Sequence, residues 1–395
     1  MAESTEIADK PDMDCQPFRR MLPLLAAAGL LLTGCTAVAQ ETNSDYEARL
    51  AQYLHAREGY DAQANAYWDA VADKRRVRNG KRREHQPMAL TDYVLTQPPV
   101  YAGPPRPVSP TGPGPLPGEA EKPPIPVIAD FLSAAREQFG FVPDRPIELE
   151  FKRAYAQAAL RAGLTREQIV GIYAFETGGN GTYDMQAGVS SRPNSRAISP
   201  AVGYNQLLST NSVSLLAEHG AGILAQLRQQ AKVLRGDDKA AMERKIEAFK
   251  RMLAACRALP HRWSDYDSFA KTTPAGWGIH AAVLDRDIGP LLQVQKLTDS
   301  VRFARAKGYA APLTAAELEL MNLTGDGNGN GIDMVMMPQN LRTQVPTANF
   351  FQQNGYERNP VAKRTGVVAN LIASIEDKMA GASRSQGAKE LTASF

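Results

Sequence analysis

TREQIVGIYAFETGG (Thr165–Gly179) predicts a short, mostly apolar helix that ends in a carboxylate. Thr165 followed three residues later by Gln168 is the pattern of a capping box, which begins a helix. The paired glycines at the other end stop a helix, because glycine readily adopts the left-handed conformation needed there. Glu176 is therefore expected in the last turn of a largely apolar helix.

A carboxylate in this position is unusual, because its surroundings favour the protonated form. The C-terminus of a helix carries partial negative charge and apolar surroundings disfavour ionisation, so both raise the pKa of Glu176. A raised pKa is what a general acid needs at neutral pH. The alternative interpretation is a solvated glutamate that happens to end a helix.

A second motif, GYNQL (Gly203–Leu207), follows a loop rich in glycine and serine and leads into a further helix. A helix ending in Glu-Ser, a variable loop and then Gly-Leu-Met-Gln are typical of the transglycosylase domain of lytic transglycosylases, which are related to goose-type lysozyme. Residues 165–208 resemble that domain. Thr177 stands in place of Ser, and Tyr204 and Asn205 stand in place of Leu and Met.

The resemblance implies a lysozyme-like, all-α domain that cleaves the MurNAc-GlcNAc bond of peptidoglycan glycan strands. In this family one glutamate acts first as the acid and then as the base toward the sugar's own 6-hydroxyl, which yields a 1,6-anhydro product without water. Glu176 occupies the position of that glutamate.

The resemblance also implies a saccharide cleft opposite the catalytic glutamate. Aromatic faces and amide groups suit sugar rings and N-acetyl groups. The expected lining comes from the motif and the loop: Tyr204, Asn205, Gln206, Tyr183 and Gln186. The alternative is that Tyr204 packs under the loop and Asn205 caps the next helix.

Two further features bear on the mechanism. Inverting hydrolysis needs a second carboxylate that activates water; Asp184 is the nearby candidate, unless it only caps the loop by bonding local backbone donors. The one-glutamate mechanism is favoured. The family also tends to carry Ala-Tyr-Asn-Ala-Gly late in the domain. The nearest match, Leu320–Gly325, keeps Asn322 but has Met321 in place of the tyrosine.

The N-terminus has the pattern of a secretory signal. Arg19 and Arg20 precede an apolar run, Met21–Leu32, that is too short to span a membrane. LTGC (Leu32–Cys35) resembles the bacterial lipobox, in which the cysteine becomes the lipidated first residue. This implies a periplasmic protein anchored at Cys35, with sorting to the outer membrane of a Gram-negative cell. The alternative is an ordinary cleaved signal.

The three cysteines are consistent with this interpretation. Cys15 would be removed with the signal and Cys35 acylated, so Cys256 has no partner for a disulfide. Cys256 is expected to be a small buried apolar residue.

Composition and motifs exclude several other classes. The net charge is only +3, from 45 basic and 42 acidic residues, which does not favour nucleic-acid binding. The five histidines are scattered without a cysteine cluster, so zinc is not supported, and neither a Gly-X-Ser-X-Gly elbow nor a phosphate loop occurs. Asp326–Asp333 is similar to a calcium loop, but its twelfth position, Met337, cannot supply a bidentate carboxylate. No metal and no cofactor are predicted. For the loop Asp326–Asp333, the two interpretations, a calcium site and a Gly/Asn-rich turn, are both left open.

The chain divides into five predicted segments. Residues 1–34 are the signal peptide. Residues 35–96 hold a helix from Ser44 to Asp73 and then a basic run, Lys74–Arg83. This run either attracts anionic wall polymers or lipid headgroups or is a solvated segment. Residues 97–127 are an extended polyproline spacer with a reach on the order of 90 Å. Residues 128–380 form the lysozyme-like domain, and residues 381–395 a disordered tail.

The main domain is expected to be all-α, because no alternating run is long enough to argue a sheet. Phe350, Phe351 and Tyr356 are expected in its core. Predicted helices are 128–139, 146–162, 165–176, 211–230, 237–259, 274–284, 288–306, 314–322, 338–354 and 360–379.

The sequence therefore predicts a lipid-anchored lytic transglycosylase whose partners are peptidoglycan glycan strands and, through Cys35, the membrane. It does not indicate a protein partner. The alternatives are a hydrolytic muramidase and a peptidoglycan-binding lipoprotein without catalytic turnover.

Overall fold

The computed structural model describes residues 43–110, 124–190, 195–324 and 330–395. The predicted signal peptide, Cys35, residues 111–123 of the proline-rich segment and the Asp326–Gly329 part of the calcium-like loop lie outside the described residues.

The described residues are predominantly helical, which confirms the all-α prediction. Their β-type pairings are isolated bridges, such as Gln186 with Val202. The helices are α1 Asn43–Arg83, α2 Ile128–Phe139, α3 Glu148–Arg161, α4 Arg166–Thr177, α5 Ser209–Val233, α6 Gly236–Arg257, α7 Trp263–Thr272, α8 Pro274–His280, α9 Gly289–Ala306, α10 Ala315–Thr324, α11 Asn330–Val335, α12 Gln339–Arg342, α13 Gln353–Glu357, α14 Pro360–Thr365, α15 Val368–Ala382 and α16 Gln386–Thr392. Short 3-10 helices occur at Leu90–Asp92, Ala281–Leu284 and Thr347–Phe350.

Helix α4 has the ends that its sequence predicts. The Thr165 hydroxyl accepts a hydrogen bond from the Gln168 amide (3.2 Å), and the Gln168 side chain accepts one from the Thr165 amide (2.9 Å). The helix stops at Gly178 (φ 67°), followed by Gly179 (φ 79°). A Cβ at residue 179 would lie 2.1 Å from the carbonyl oxygen of Ala382, so glycine is also needed for the close approach of the end of α15.

Helix α4 lies at the centre of the domain, with α3, α10, α15 and α16 packed around it. Its residues Ile169, Ile172 and Tyr173 are completely buried. Gly171 brings α10 close, because a Cβ there would lie 2.7 Å from the Cβ of Ala315. Helix α4 is therefore surrounded by α3 and by helices that come from much later in the chain.

Two predicted helices, 338–354 and 360–379, are broken in the structure. The first becomes α12, a 3-10 helix and α13, separated at Pro346; proline disfavours helical conformation in the residue before it. The second is interrupted between α14 and α15 at Gly366, whose φ is 71°. The prediction also missed α7, α11 and α16.

The prediction of a disordered tail at 381–395 is wrong, because this segment contains α16. Ala388 and Leu391 are fully buried. The Lys152 ammonium donates to Glu390 Oε2 at 2.8 Å, and the Gly387 amide donates to Asn180 Oδ1 at 3.0 Å. The C-terminal helix is thus part of the packing that surrounds the end of α4.

We expect Leu391→Ala to lower the free energy of unfolding by about 2–5 kcal/mol, because it leaves a cavity in the core beneath α16. Urea denaturation followed by far-UV circular dichroism measures the loss. Lys389→Ala is the matched control, since Lys389 is an exposed residue of the same helix. Equal urea midpoints for the two variants would contradict the packing of α16.

The basic run Lys74–Arg83 continues α1 rather than following it, so the predicted helix end at Asp73 is wrong. Arg78 is fully buried; it donates to the carbonyl oxygens of Asp92 and Asn349, both at 3.0 Å. The Nε of Arg82 donates to Asp333 Oδ1 at 2.7 Å. The interpretation of the run as a solvated segment therefore fails for the arginines that dock α1 onto the rest of the domain.

The first part of the proline-rich segment packs against α1. The Tyr101 ring makes edge contacts with Tyr53 and Tyr60, at centroid distances of 6.0 and 5.4 Å. The Gln97 amide donates to the carbonyl oxygen of Gly366 at 3.1 Å. Residues 97–101 therefore pack on the folded protein, and the prediction that an extended polyproline spacer begins at residue 97 is wrong for this part.

Candidate functional site

Glu176 lies in the last turn of α4 and is only partly exposed. Asn322 on α10 donates from Nδ2 to Glu176 Oε1 at 3.0 Å. The two residues are far apart in sequence, so this contact depends on the packing of α10 against α4. Asn322 belongs to Leu320–Gly325, the nearest match in this sequence to the Ala-Tyr-Asn-Ala-Gly motif of lytic transglycosylases.

A second carboxyl group, that of Glu319, lies beside Glu176. Glu319 precedes Asn322 by three residues on α10, which places both side chains on one helix face. It is fully buried, and its carboxyl group is within hydrogen-bonding reach of that of Glu176. Neither oxygen of Glu319 receives a hydrogen bond of good geometry from an N–H or O–H donor of the described residues.

Burial is the main cause that raises the pKa of Glu176, to about 7. A hydrogen bond from Glu319, the charge of Lys378 and the Asn322 amide oppose this effect and favour the ionised form. For Glu319, burial and then repulsion from Glu176 raise the pKa well above its usual range. Near neutral pH the pair therefore holds at least one proton.

Lys378 supplies the positive charge near this pair. It belongs to α15, and its Nζ lies 3.8 Å from the ring centroid of Phe175, the residue before Glu176. The ammonium group is thereby held by an aromatic face at the end of α4. The arrangement offers one carboxyl group that gains and loses a proton near pH 7, next to a donor amide and a cation.

The GYNQL motif forms a tight turn, closed by paired hydrogen bonds between Val202 and Leu207. Tyr204 is completely buried within it, and its hydroxyl donates to Glu148 Oε1 at 2.5 Å. Asn205 is also buried; its side chain accepts from the Tyr155 hydroxyl (2.6 Å) and donates to the Gln293 carbonyl oxygen (3.0 Å). In this arrangement the two side chains support the turn from inside rather than line a cleft, and Asn205 is not the N-cap of α5.

The remaining predicted lining residues also hold the loop. Gln206 has a positive φ of 44°, and its amide donates to the Gly203 carbonyl oxygen at 2.9 Å. Gln186 is buried and donates to the Pro126 carbonyl oxygen at 2.8 Å. The Tyr183 ring stacks on Phe151 with centroids 4.5 Å apart. Their partners lie in the loop, in α3 and in the segment just before α2, whereas Glu176 meets α10 and α15.

Asp184 forms an ion pair with Arg145 (2.5 Å) and accepts a hydrogen bond from the Thr182 hydroxyl (2.6 Å). Both contacts are with side chains at the loop surface, so the predicted role of Asp184 as a cap of backbone donors in the loop is not observed. The carboxyl group that reaches Glu176 is that of Glu319.

Glu319 was not among the predicted site residues, although a signal for it is present in the sequence. The segment ELELMNL (Glu317–Leu323) places this acidic residue between two leucines of a predicted helix. A charged residue in a run of buried positions rarely stays fully buried unless it is paired. Asn322, three residues later, marks the same face of the helix.

The described part of the calcium-like loop does not offer a free carboxylate. Asp333 on α11 accepts from Arg82, and Arg78 also lies 3.9 Å from it. Its charge therefore serves the docking of α1. A surface group made by Glu218, His219 and Asp299 has ligand atoms close enough for a metal ion, but the hydrogen bond of 2.9 Å between His219 and Asp299 accounts for that geometry.

A groove of about 370 Å³ lies between α4, α10 and α15. Its apolar floor is formed by Val170, Gly171, Ala315 and Met379, next to the N-terminal half of α4. Glu176 lies at the opposite end of that helix. This groove is therefore separate from the carboxyl pair.

The raised pKa of Glu176 should make the free energy of unfolding depend on pH. Unfolding returns its pKa to about 4.5, so the unfolded chain loses this proton at lower pH than the folded protein does. We expect the free energy of unfolding to fall between pH 5 and pH 8 by up to about 3 kcal/mol more in the wild type than in Glu176→Gln. Urea denaturation of both proteins at the two pH values measures this difference. An identical pH dependence would show that the Glu176 carboxyl is not withdrawn from water.

No family model, curated protein or solved structure matches the chain. Within the described ranges, no helix combines the length and the apolar character needed to cross a membrane. The lysozyme-like fold and the lipid anchor therefore stay predictions from the sequence.

Proposed function

We propose that the protein is a lytic transglycosylase that cleaves the MurNAc-GlcNAc bond of peptidoglycan, with Glu176 as its acid and base. The observation that carries the proposal is the largely buried Glu176 carboxyl group at the end of α4, with its pKa raised to about 7. The hydrogen bond from Asn322 supports it. Glu176 and Asn322 belong to the two segments that resemble motifs of lytic transglycosylases, and this hydrogen bond joins them.

In the proposed reaction, the protonated Glu176 carboxyl gives its proton to the glycosidic oxygen as the bond to the MurNAc C1 carbon breaks. The sugar develops oxocarbenium-like charge, which the Glu176 carboxylate stabilises. The carboxylate then takes the proton of the 6-hydroxyl while that oxygen bonds to C1. The products are a 1,6-anhydro end and a free GlcNAc hydroxyl, and Glu176 is protonated again. A pKa near the working pH suits both proton transfers.

The position of Glu319 favours this mechanism over inverting hydrolysis. An inverting enzyme keeps its two carboxyl groups about 6.5–9.5 Å apart, so that a water molecule fits between substrate and base. Glu319 is within hydrogen-bonding reach of Glu176 and is fully buried. It therefore does not have the placement of a base that activates water, and Asp184 is engaged by Arg145.

A peptidoglycan-binding protein without turnover is the second candidate. The observation that favours it is the burial of Tyr204 and Asn205, whose polar groups are used inside the protein. In either case we propose a periplasmic location with a lipid anchor at Cys35 in the outer membrane. Helix α1 begins at Asn43, shortly after that cysteine.

The test incubates the purified protein with peptidoglycan sacculi and analyses the soluble muropeptides by mass spectrometry. Products with 1,6-anhydro ends are expected. Reducing ends would identify a muramidase instead. Sedimentation with the sacculi and no soluble product would favour the binding protein.

A further inference from the structure

We propose that Glu319 is a positioning residue that keeps its own proton and, through it, donates a hydrogen bond to the carboxylate of Glu176. The inference concerns the site of the proposed function, but its test does not require that function. It goes beyond the one-glutamate mechanism, because it gives the acid/base residue a carboxyl partner that never leaves the neutral state.

The hydrogen bond of good geometry from Asn322 goes to Glu176, although the Asn322 side chain also acts to lower the pKa of Glu319. Glu176 Oε1 accepts from Asn322, whereas both oxygens of Glu319 lack a donor of good geometry. A buried carboxylate without donors is strongly unfavourable, but a neutral carboxyl group needs only an acceptor for its O–H. Glu176 is the acceptor within reach, so the negative charge belongs on Glu176 and the proton on Glu319.

The surrounding helices agree with this assignment. Helices α4, α9, α11 and α15 pack around α10. The charged groups that act on Glu319 are Glu176 from α4 and Lys378 from α15, and Asp333 on α11 is turned toward Arg82. Lys378 is exposed and its ammonium lies over Phe175, so it does not reach Glu319 as a hydrogen-bond donor.

The O–H of Glu319 has a defined effect on the chemistry. After Glu176 gives up its proton, its carboxylate is held by two donors, Asn322 and Glu319, which stabilise the ionised form in a buried place. The two hydrogen bonds also fix the orientation of the Glu176 carboxylate before it takes the proton of the 6-hydroxyl. Two carboxyl groups this close cannot both be ionised, because the repulsion between buried like charges is large.

The test follows the titration of Glu176 by NMR in protein labelled with ¹³C at the glutamate carboxyl carbons, with Glu176→Gln used to assign its signal. In the wild type we expect a midpoint near 7 for Glu176. Glu319→Gln retains an N–H donor, so the midpoint should stay within about half a pH unit of the wild type. Glu319→Met removes the donor and should raise the midpoint by about one pH unit.

The opposite result would overturn the proposal. If Glu319→Met lowers the Glu176 midpoint, Glu319 is the charged member of the pair and repels Glu176 in the wild type. If Glu319→Met does not fold, Glu319→Gln decides, because a midpoint that falls by more than one pH unit would also show that a charge was removed. Glu376→Gln, an exposed position on α15, is the control and should leave the midpoint unchanged.

Calcium provides a separate check. Two buried carboxyl groups can also be balanced by a divalent cation instead of a proton. We expect the midpoint of Glu176 to be unaffected by millimolar CaCl₂. A large downward shift would show that the pair binds a cation and that the proton assigned to Glu319 is not retained.

Discussion

Glu176→Gln should reduce the release of anhydro-muropeptides from peptidoglycan by about 10²–10⁴-fold, the contribution typical of a general acid and base. The amide has the shape of the carboxyl group and keeps an oxygen that can accept from Asn322. It cannot give a proton to the glycosidic oxygen or take one from the 6-hydroxyl. Initial rates of product release, followed by liquid chromatography and mass spectrometry, measure the loss.

Asp184→Asn is the control for this experiment, because Asp184 is a carboxylate in the loop that follows α4, where it binds Arg145 and Thr182. It should retain activity within a few-fold of the wild type. Full activity in Glu176→Gln would remove Glu176 from the mechanism. A loss that appears in Asp184→Asn alone would return the second-carboxylate hypothesis to Asp184. Circular dichroism of both variants confirms that the fold is intact.

The parts of this fold that the sequence predicted are those set by local signals. The capping box at Thr165, the Gly-Gly stop and the apolar face between them are all within one helix, and the structure has that helix at Arg166–Thr177. Helix α2 was predicted with its observed ends, Ile128 and Phe139. Capping residues, glycines and periodicity act over a few residues, so a single sequence is enough to locate them.

The parts that were missed depend on residues far apart in the chain. Glu319 meets Glu176 because α10 packs on α4, and Gly171 permits the close approach of the two helices at Ala315. Tyr204 was placed by family comparison in a cleft, but Glu148 of α3 accepts its hydroxyl in the interior. The C-terminal segment has few apolar residues, yet the side chain of Leu391 is fully buried in the core. The partners in these contacts have no local signature, although the position of Glu319 between two leucines marks it as a residue that needs a partner.

The basic run of α1 shows the same difficulty and has a structural consequence for the site. A sequence rich in arginine is normally read as solvated, but Arg82 and Arg78 are turned toward Asp333 of α11. Helix α11 packs against α10, which carries Glu319 and Asn322. The N-terminal helix is therefore connected, through one ion-pair cluster and one helix, to the residues that hold Glu176.

Arg78→Ala should lower the free energy of unfolding by about 3–5 kcal/mol, the range observed when one partner of a buried charged pair is removed. Arg78 is fully buried; besides its two bonds to carbonyl oxygens, its guanidinium lies 4.7 Å from the ring centroid of Tyr93. Burial lowers its pKa to about 10, so it is still charged at neutral pH. The substitution leaves a cavity and removes a positive charge beside Asp333.

Arg76→Ala is the matched control for Arg78→Ala, since it lies two residues away on the same helix and pairs with Asp73 at the surface. Exposed pairs of this kind contribute little, so its effect should stay within about 1 kcal/mol. Urea denaturation gives the two free energies, and hydrogen exchange should show faster exchange over residues 75–83 in Arg78→Ala alone. Equal stability and equal exchange in the two variants would mean that α1 is not anchored through Arg78, and the connection from α1 to the carboxyl pair would then fail at its first step.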